Sequence, residues 1–154
     1  MKLEKKFIEF CSNKKLEINP NQIEIINTLE KFQNGNFDRS FLNSFFNKNS
    51  KLGFYLHGDV GVGKTMILDF FFKQLEIKKI KVHFNEFMIS FHDFMFDNDK
   101  KDKALDIFVK KLRNKAKLLF FDEFQVTNIV DAMIFEDCLK KYLKKKYVFY
   151  FHQI

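Results

Sequence analysis

One stretch constrains the fold of this chain more than any other: an apolar run that breaks into glycines and ends in a lysine and a hydroxyl. Residues 53–65 read GFYLHGDVGVGKT, and residues 58–65 fit the pattern G-x-x-x-x-G-K-[ST] at every fixed position. A helix-forming run at residues 66–72 follows at once, which is the context that the pattern requires. The sequence therefore predicts a strand, a phosphate-binding loop and a helix, and with them a nucleoside triphosphate site.

The residue types in this loop suit phosphate chemistry. Glycines let the backbone bring its N–H groups close to phosphate oxygens, and the helix that follows adds unpaired N–H groups and the positive end of its dipole. Lys64 is expected to reach the β- and γ-phosphates, and the Thr65 hydroxyl is expected to ligate Mg²⁺. We predict that the whole loop binds the nucleotide: Gly58, Asp59, Val60, Gly61, Val62, Gly63, Lys64 and Thr65.

The composition narrows the class of protein. With 154 residues, 46% of them hydrophobic, the chain suits one domain with a true core, and its longest apolar runs fall short of a membrane span. The net charge of +7 comes from scattered lysines, which are more typical of a solvated surface than of a nucleic-acid site. Cys11 and Cys138 lack metal-ligand spacing, and the N-terminus lacks the features of a signal peptide, so we expect a cytoplasmic protein.

Helical spacing dominates the first 50 residues. Apolar residues recur at helical intervals over residues 2–11, 20–34 and 41–46, and Asn19 with Pro20 is typical of a helix start. We expect residues 1–50 to form an N-terminal helical extension that packs against a larger core.

From residue 51 onward, strand and helix patterns alternate. Strands are predicted at residues 53–57, 79–84, 117–123 and 147–151, with helices between them. This alternation predicts parallel βαβ units, and therefore an α/β fold: a three-layer P-loop NTPase core over residues 51–154 with a parallel sheet of about four strands. We expect the third strand to lie next to the P-loop and the fourth strand to lie at an exposed sheet edge.

A second motif follows the third predicted strand. Apolar residues run directly into Asp122 and Glu123, and parallel sheets gather ligands at the carboxyl ends of their strands. Such a pair is common at the start of polar loops, but the complete P-loop favours a functional role. We predict that Asp122 holds Mg²⁺ and that Glu123 activates the attacking water, which makes Glu123 and Lys64 the catalytic residues of a hydrolase.

Four segments in matching order resemble the ZapE family of AAA-like ATPases: residues 16–22, 53–72, 82–88 and 121–133. The resemblance implies that Lys64 and Thr65 contact phosphate and Mg²⁺, that Asp122 contacts Mg²⁺ and that Glu123 is the catalytic carboxylate. It further implies ATP hydrolysis and a link to cell division, with the division ring protein FtsZ as partner of the bacterial members. Mitochondrial members are tied to the turnover of inner-membrane proteins.

The sequence departs from the family pattern at two places. Val62 stands where the family often has arginine, at a position that contributes mainly backbone. After residue 151 the chain reads HQI and ends, whereas the family continues with a polar γ-phosphate sensor, a fifth strand and an arginine finger. We therefore expect a truncated or frameshifted chain that binds nucleotide weakly. It should also hydrolyse nucleotide poorly, because such an arginine is worth orders of magnitude in rate.

Two other functions stay open. The chain could be a nucleotide-dependent protein-binding module without turnover, or a helicase-loader-like ATPase associated with DNA, although residues 125–133 favour the ZapE family. Nucleic acid is not an expected partner, whereas peripheral membrane association and oligomer formation stay open. Gln22 is a candidate for contact with the adenine base if the N-terminal region folds over the site.

Overall fold

The computed structural model describes residues 2–36, 52–58, 61–98, 101–144 and 148–152. The predicted division at residue 50 stays a prediction, and the predicted helix at residues 41–46 lies outside the described residues. The chain divides into two compact units: Met1–Lys51 with Val60–Glu76, and Leu52–Asp59 with Ile77–Ile154.

In the residues that the structure describes, the first unit contains three helices: α1 (Leu3–Asn13), α2 (Pro20–Asn36) and α3 (Lys64–Gln74). The first helix is confirmed: Leu3, Phe7 and Cys11 of its apolar face are buried, whereas Ile8 is exposed. The ring of Phe70 on α3 lies 5.2 Å from that of Phe7 and 5.1 Å from that of Phe10, both on α1. The Leu3 N–H donates to Glu30 Oε1 at 2.8 Å, which ties α1 to α2. Aromatic packing thus joins the helix that follows the phosphate loop to the N-terminal helices.

Asn19 starts α2 as the sequence predicts. Its side-chain Oδ1 accepts from the Asn21 N–H at 2.9 Å, and Pro20 occupies the first helical position. The Asn19 N–H in turn donates to Gln22 Oε1 at 3.3 Å. Reciprocal contacts of this kind form a capping box, so the side chain of Gln22 is part of the helix start.

The second unit contains the sheet. Its four strands are all parallel and lie in the order β1-β4-β3-β2. Every residue of β3 is buried, as expected for a strand covered on both faces. The predicted α/β class with a four-stranded parallel sheet is therefore confirmed. The strands are β1 (Gly53–Leu56), β2 (Lys79–His83), β3 (Leu118–Asp122) and β4 (Val148–His152), and the helices are α4 (Phe84–Phe96), α5 (Lys101–Lys115) and α6 (Ile129–Leu143).

The prediction that the fourth strand lies at a sheet edge is wrong. β4 pairs with β1 on one side and with β3 on the other, so β1 and β2 form the edges of the described sheet. β3 accordingly does not pair with the strand that leads into the phosphate loop. The reason is physical: parallel strands are joined by crossover connections, which do not tie the spatial order of strands to their order in the chain.

Phenylalanines form the core of the second unit. Phe121 of β3 contacts Phe87 of α4 and Phe135 of α6 edge to face, with ring centroids 5.1 and 5.0 Å apart. Cys138 and Tyr142 of α6 belong to the same buried cluster. This packing fixes the carboxyl end of β3. None of the helices in the described ranges is long and apolar enough to span a membrane.

Candidate functional site

The phosphate loop has a backbone that requires glycine. Gly61 and Gly63 have φ values of 87° and 82°, in the left-handed region that side-chain-bearing residues rarely adopt. α3 begins at the next residue, Lys64. Asp59 and Val60 lie outside the described residues. The described part of the loop thus turns sharply and leads directly into a helix N-terminus, where unpaired N–H groups and the helix dipole favour an anion.

The side chain of Gln22 lies beside Gly63. A Cβ at Gly63 would lie 3.0 Å from Gln22 Nε2 and 3.5 Å from Met66 Cε. The same Nε2 donates to the carbonyl oxygen of Val62 at 3.2 Å. The side-chain amide of Gln22 therefore lies directly against the loop, a contact that sequence reasoning missed because the two segments are 40 residues apart.

Lys64 and Thr65 occupy the first turn of α3. Lys64 is only 5% exposed, and lysine is rarely buried to this extent unless it is paired. Thr65 is exposed. The first turn of the helix thus holds one buried cation beside one accessible hydroxyl, which is the pair that the motif requires for phosphate and metal contacts.

Asp122 ends β3 next to a lysine that sequence reasoning missed. Its carboxylate is nearly buried, and Oδ2 lies 2.9 Å from Lys81 Nζ on β2. Lys81 also lies over the ring of Phe120, 5.2 Å from its centroid. The parallel register places His83 opposite Asp122, and alternation along the strand puts Lys81 and His83 on one face. That alternation was visible in the sequence, but the pairing of β2 with β3 was not.

Glu123, the residue after Asp122, has a strained backbone. Its φ of 52° is left-handed, which is uncommon for a residue other than glycine, and such strain clusters at functional sites. The side chain is 58% exposed, and Oε2 lies 3.8 Å from His83 Nδ1. The second unit thus brings both predicted carboxylates together beside two basic residues of β2, with Asp122 held and Glu123 accessible.

The segment between Glu123 and α6 is held in place where it enters the helix. Asn128 caps α6, since its Oδ1 accepts from the Val130 N–H at 2.8 Å. Asp131, in the first turn of α6, lies 2.9 Å from His92 Nε2 on α4. These two contacts anchor the segment that carries the family resemblance.

The predicted metal ligands suit Mg²⁺ by their chemistry. Thr65 offers a hydroxyl oxygen and Asp122 a carboxylate oxygen, which are the hard donors that Mg²⁺ prefers. In the part of the chain that the structure describes, no cluster of three or more His, Cys, Asp or Glu could hold a metal ion. Each of the two donors, taken by itself, suits an ion whose remaining ligands are phosphate oxygens and water.

Comparisons with known proteins point to one family. The family model described as AFG1-like ATPase matches residues 13–149. Cell division protein ZapE of Escherichia coli K12 is 34% identical over 89 residues, which cover 57% of this chain and 24% of that protein. Lactation elevated protein 1 homolog B of Danio rerio is 32% identical over 105 residues, covering 60% of this chain and 21% of that protein. The chain thus spans less than a quarter of the length of these curated relatives.

Solved structures share the fold. The crystal structure of a DNA replication initiation factor matches with a TM-score of 0.59 at 12% identity, covering 91% of this chain and 40% of that chain. The structure of AMPPCP-bound DnaA from Aquifex aeolicus matches with a TM-score of 0.58 at the same 12% identity and the same coverage of 91% and 40%. At this identity the likeness concerns the fold alone.

Proposed function

The chain belongs to the AFG1-like ATPase family, and on that premise we propose that it binds ATP with Mg²⁺ at residues 58–65 and hydrolyses it. The observation that carries the proposal is the loop backbone, in which Gly61 and Gly63 are both left-handed immediately before the N-terminus of α3. A loop of this shape presents successive N–H groups to an anion.

The side chains of α3 complete the proposed phosphate contacts. Lys64 supplies a positive charge to the β- and γ-phosphates, and its burial strengthens that interaction by excluding water. The Thr65 hydroxyl and the Asp122 carboxylate hold Mg²⁺, which when bound neutralises charge that develops on the phosphate oxygens.

Glu123 is the proposed general base. It orients a water molecule and accepts its proton, a role that needs an accessible carboxylate, and this one is 58% exposed. Its left-handed backbone turns the chain out of β3 at this residue, and strained backbone of this kind recurs at active sites.

Phosphate release tests the catalytic part of the proposal. Glu123→Gln keeps the size of the side chain but removes the base, so release is expected to fall by about 100-fold or more while ATP binding persists. Glu136→Gln is the matched control, because Glu136 is an exposed glutamate on α6 that pairs with Lys140, and it should leave release unchanged. ATP binding without release by any variant would support the nucleotide-dependent binding module instead. The expectation of slow turnover by the 154-residue chain stays a prediction that this assay measures.

The cellular role is proposed from the relatives. The name of the E. coli relative, cell division protein ZapE, supports a role in division, and the family resemblance makes FtsZ the proposed partner in the cytoplasm. Membrane association at a surface and oligomer formation are compatible with a charge of +7 but are not required by it. In a sedimentation assay we expect the chain to pellet with FtsZ polymers when ATP is present and to pellet less without it. Salt-sensitive binding to DNA without binding to FtsZ would favour the helicase-loader alternative.

A further inference from the structure

The side chain of Gln22 is held at both ends of its amide. Oε1 accepts from the Asn19 N–H at 3.3 Å within the capping box of α2, and Nε2 donates to the Val62 carbonyl oxygen at 3.2 Å. The first contact orients the amide, and in the second its N–H group donates to the phosphate loop. The two contacts use one of the two N–H donors of the amide and one lone pair of its oxygen.

The contact with Val62 fixes one peptide plane of the phosphate loop. In a trans peptide the C=O and the following N–H point in opposite directions. Because the Val62 carbonyl points to Gln22, the Gly63 N–H points away from the start of α2. Nε2 of Gln22 also lies close to Gly63, 3.0 Å from where a Cβ would lie.

We propose that Gln22 is a positioning residue of the phosphate loop: through Val62 it holds the Gly63 N–H toward the bound phosphates. Left-handed glycine peptides rotate easily, so a fixed plane lowers the entropy that must be lost when a phosphate binds. The inference rests on the nucleotide binding proposed above. It assigns Gln22 to phosphate affinity and gives it no part in choosing the base.

Gln22→Glu separates this role from helix capping. A glutamate at this position of a capping box can still accept from the Asn19 N–H, so α2 should keep its start. It cannot donate to the Val62 carbonyl, and its charge repels that oxygen. Gln22→Ala removes both contacts without adding charge. Asn21→Asp, an exposed neighbour in the same turn, is the matched control for an added carboxylate.

The test measures binding of ATP, GTP and inorganic tripolyphosphate, each with Mg²⁺, by titration calorimetry. Gln22→Ala is expected to lower the affinity for all three compounds by the same factor, about 2- to 10-fold. Gln22→Glu should lower these affinities further, and Asn21→Asp should change them less than either Gln22 variant. The ¹⁵N order parameter of the Gly63 amide should be lower in both Gln22 variants without nucleotide, because the peptide plane is no longer held. Matched thermal midpoints for wild type and Gln22→Glu would exclude loss of folding as the cause.

Three results overturn the inference. Unchanged binding in both variants together with an unchanged order parameter at Gly63 would show that the contact does not position the loop. Weaker binding of ATP with unchanged binding of tripolyphosphate would place Gln22 on the base. If the wild type binds none of the three compounds, the proposed function fails as well, and that result is distinguishable because it appears before any variant is compared.

Discussion

Lys81 Nζ lies 2.9 Å from Oδ2 of Asp122, so the carboxylate predicted to hold Mg²⁺ is paired with a cation from the neighbouring strand. Asp122 is only 7% exposed, and a buried carboxylate needs charged or hydrogen-bonding partners to remain ionised. The register of β2 against β3 thus places a cation beside the carboxylate that we propose as a ligand of Mg²⁺.

Lys81→Met should destabilise the fold. Removing the cation takes a charged contact from a nearly buried carboxylate, and we expect the free energy of unfolding to fall by about 1–2 kcal/mol. Urea denaturation measures the difference. Lys140→Met is the control, since Lys140 pairs with Glu136 on the surface of α6 and its loss should change stability much less. Equal effects of the two substitutions would contradict the structural role of the Lys81–Asp122 pair.

Glu123→Gly should separate stability from activity. Glycine accepts the φ of 52° without strain, so the variant is expected to be as stable as the wild type or more stable by up to about 1 kcal/mol, yet to lose phosphate release. Lys15→Gly is the matched control, because Lys15 has a φ of 54° after the end of α1. It should gain similar stability in urea denaturation and keep phosphate release. Loss of stability in Glu123→Gly would contradict the account of strain.

The Cys138 thiol should be protected and should couple stability to alkaline pH. Burial raises its pKa to about 12, from a usual value of 9.0. Between pH 9 and pH 12 the thiol is protonated in the folded chain but largely ionised in the unfolded chain, so the unfolded chain binds fewer protons. The contribution of the thiol to stability is therefore complete below pH 9 and is lost as the pH rises toward 12. Iodoacetamide at pH 9 is expected to label Cys138 only after denaturation.

A Cys138→Ala variant isolates this effect. Its free energy of unfolding should fall less steeply between pH 9 and 10.5 than that of the wild type, by up to about 1 kcal/mol per pH unit. Identical slopes in the two proteins, or rapid labelling of the folded wild type, would contradict the burial of a protonated thiol.

Local patterns predicted much of this molecule. The phosphate loop, the Asp122–Glu123 pair and the alternation of strands and helices all depend on residues close together in sequence, where periodicity and motif spacing carry the information. Asn19 and Pro20 likewise predicted the start of α2, because capping is a contact between near neighbours.

Contacts between distant segments could not be predicted in the same way. The insertion of β4 between β1 and β3 depends on crossover connections, and the pairing of Lys81 with Asp122 depends on the register that results. The contact of Gln22 with Val62 depends on how α2 packs beside α3. The left-handed backbone of Glu123 reflects the path of the chain out of β3, which no local propensity of glutamate favours.

The most direct test of the account is the binding of ATP with Mg²⁺ by the wild type and by Lys64→Ala, measured by titration calorimetry. Lys73→Ala removes the same charge from the last turn of α3 and serves as the control. The account predicts one site in the wild type, affinity lower by about 30-fold or more in Lys64→Ala, and unchanged affinity in Lys73→Ala. Equal affinity of the wild type and Lys64→Ala, with both folded, would contradict the assignment of residues 58–65 as the nucleotide site.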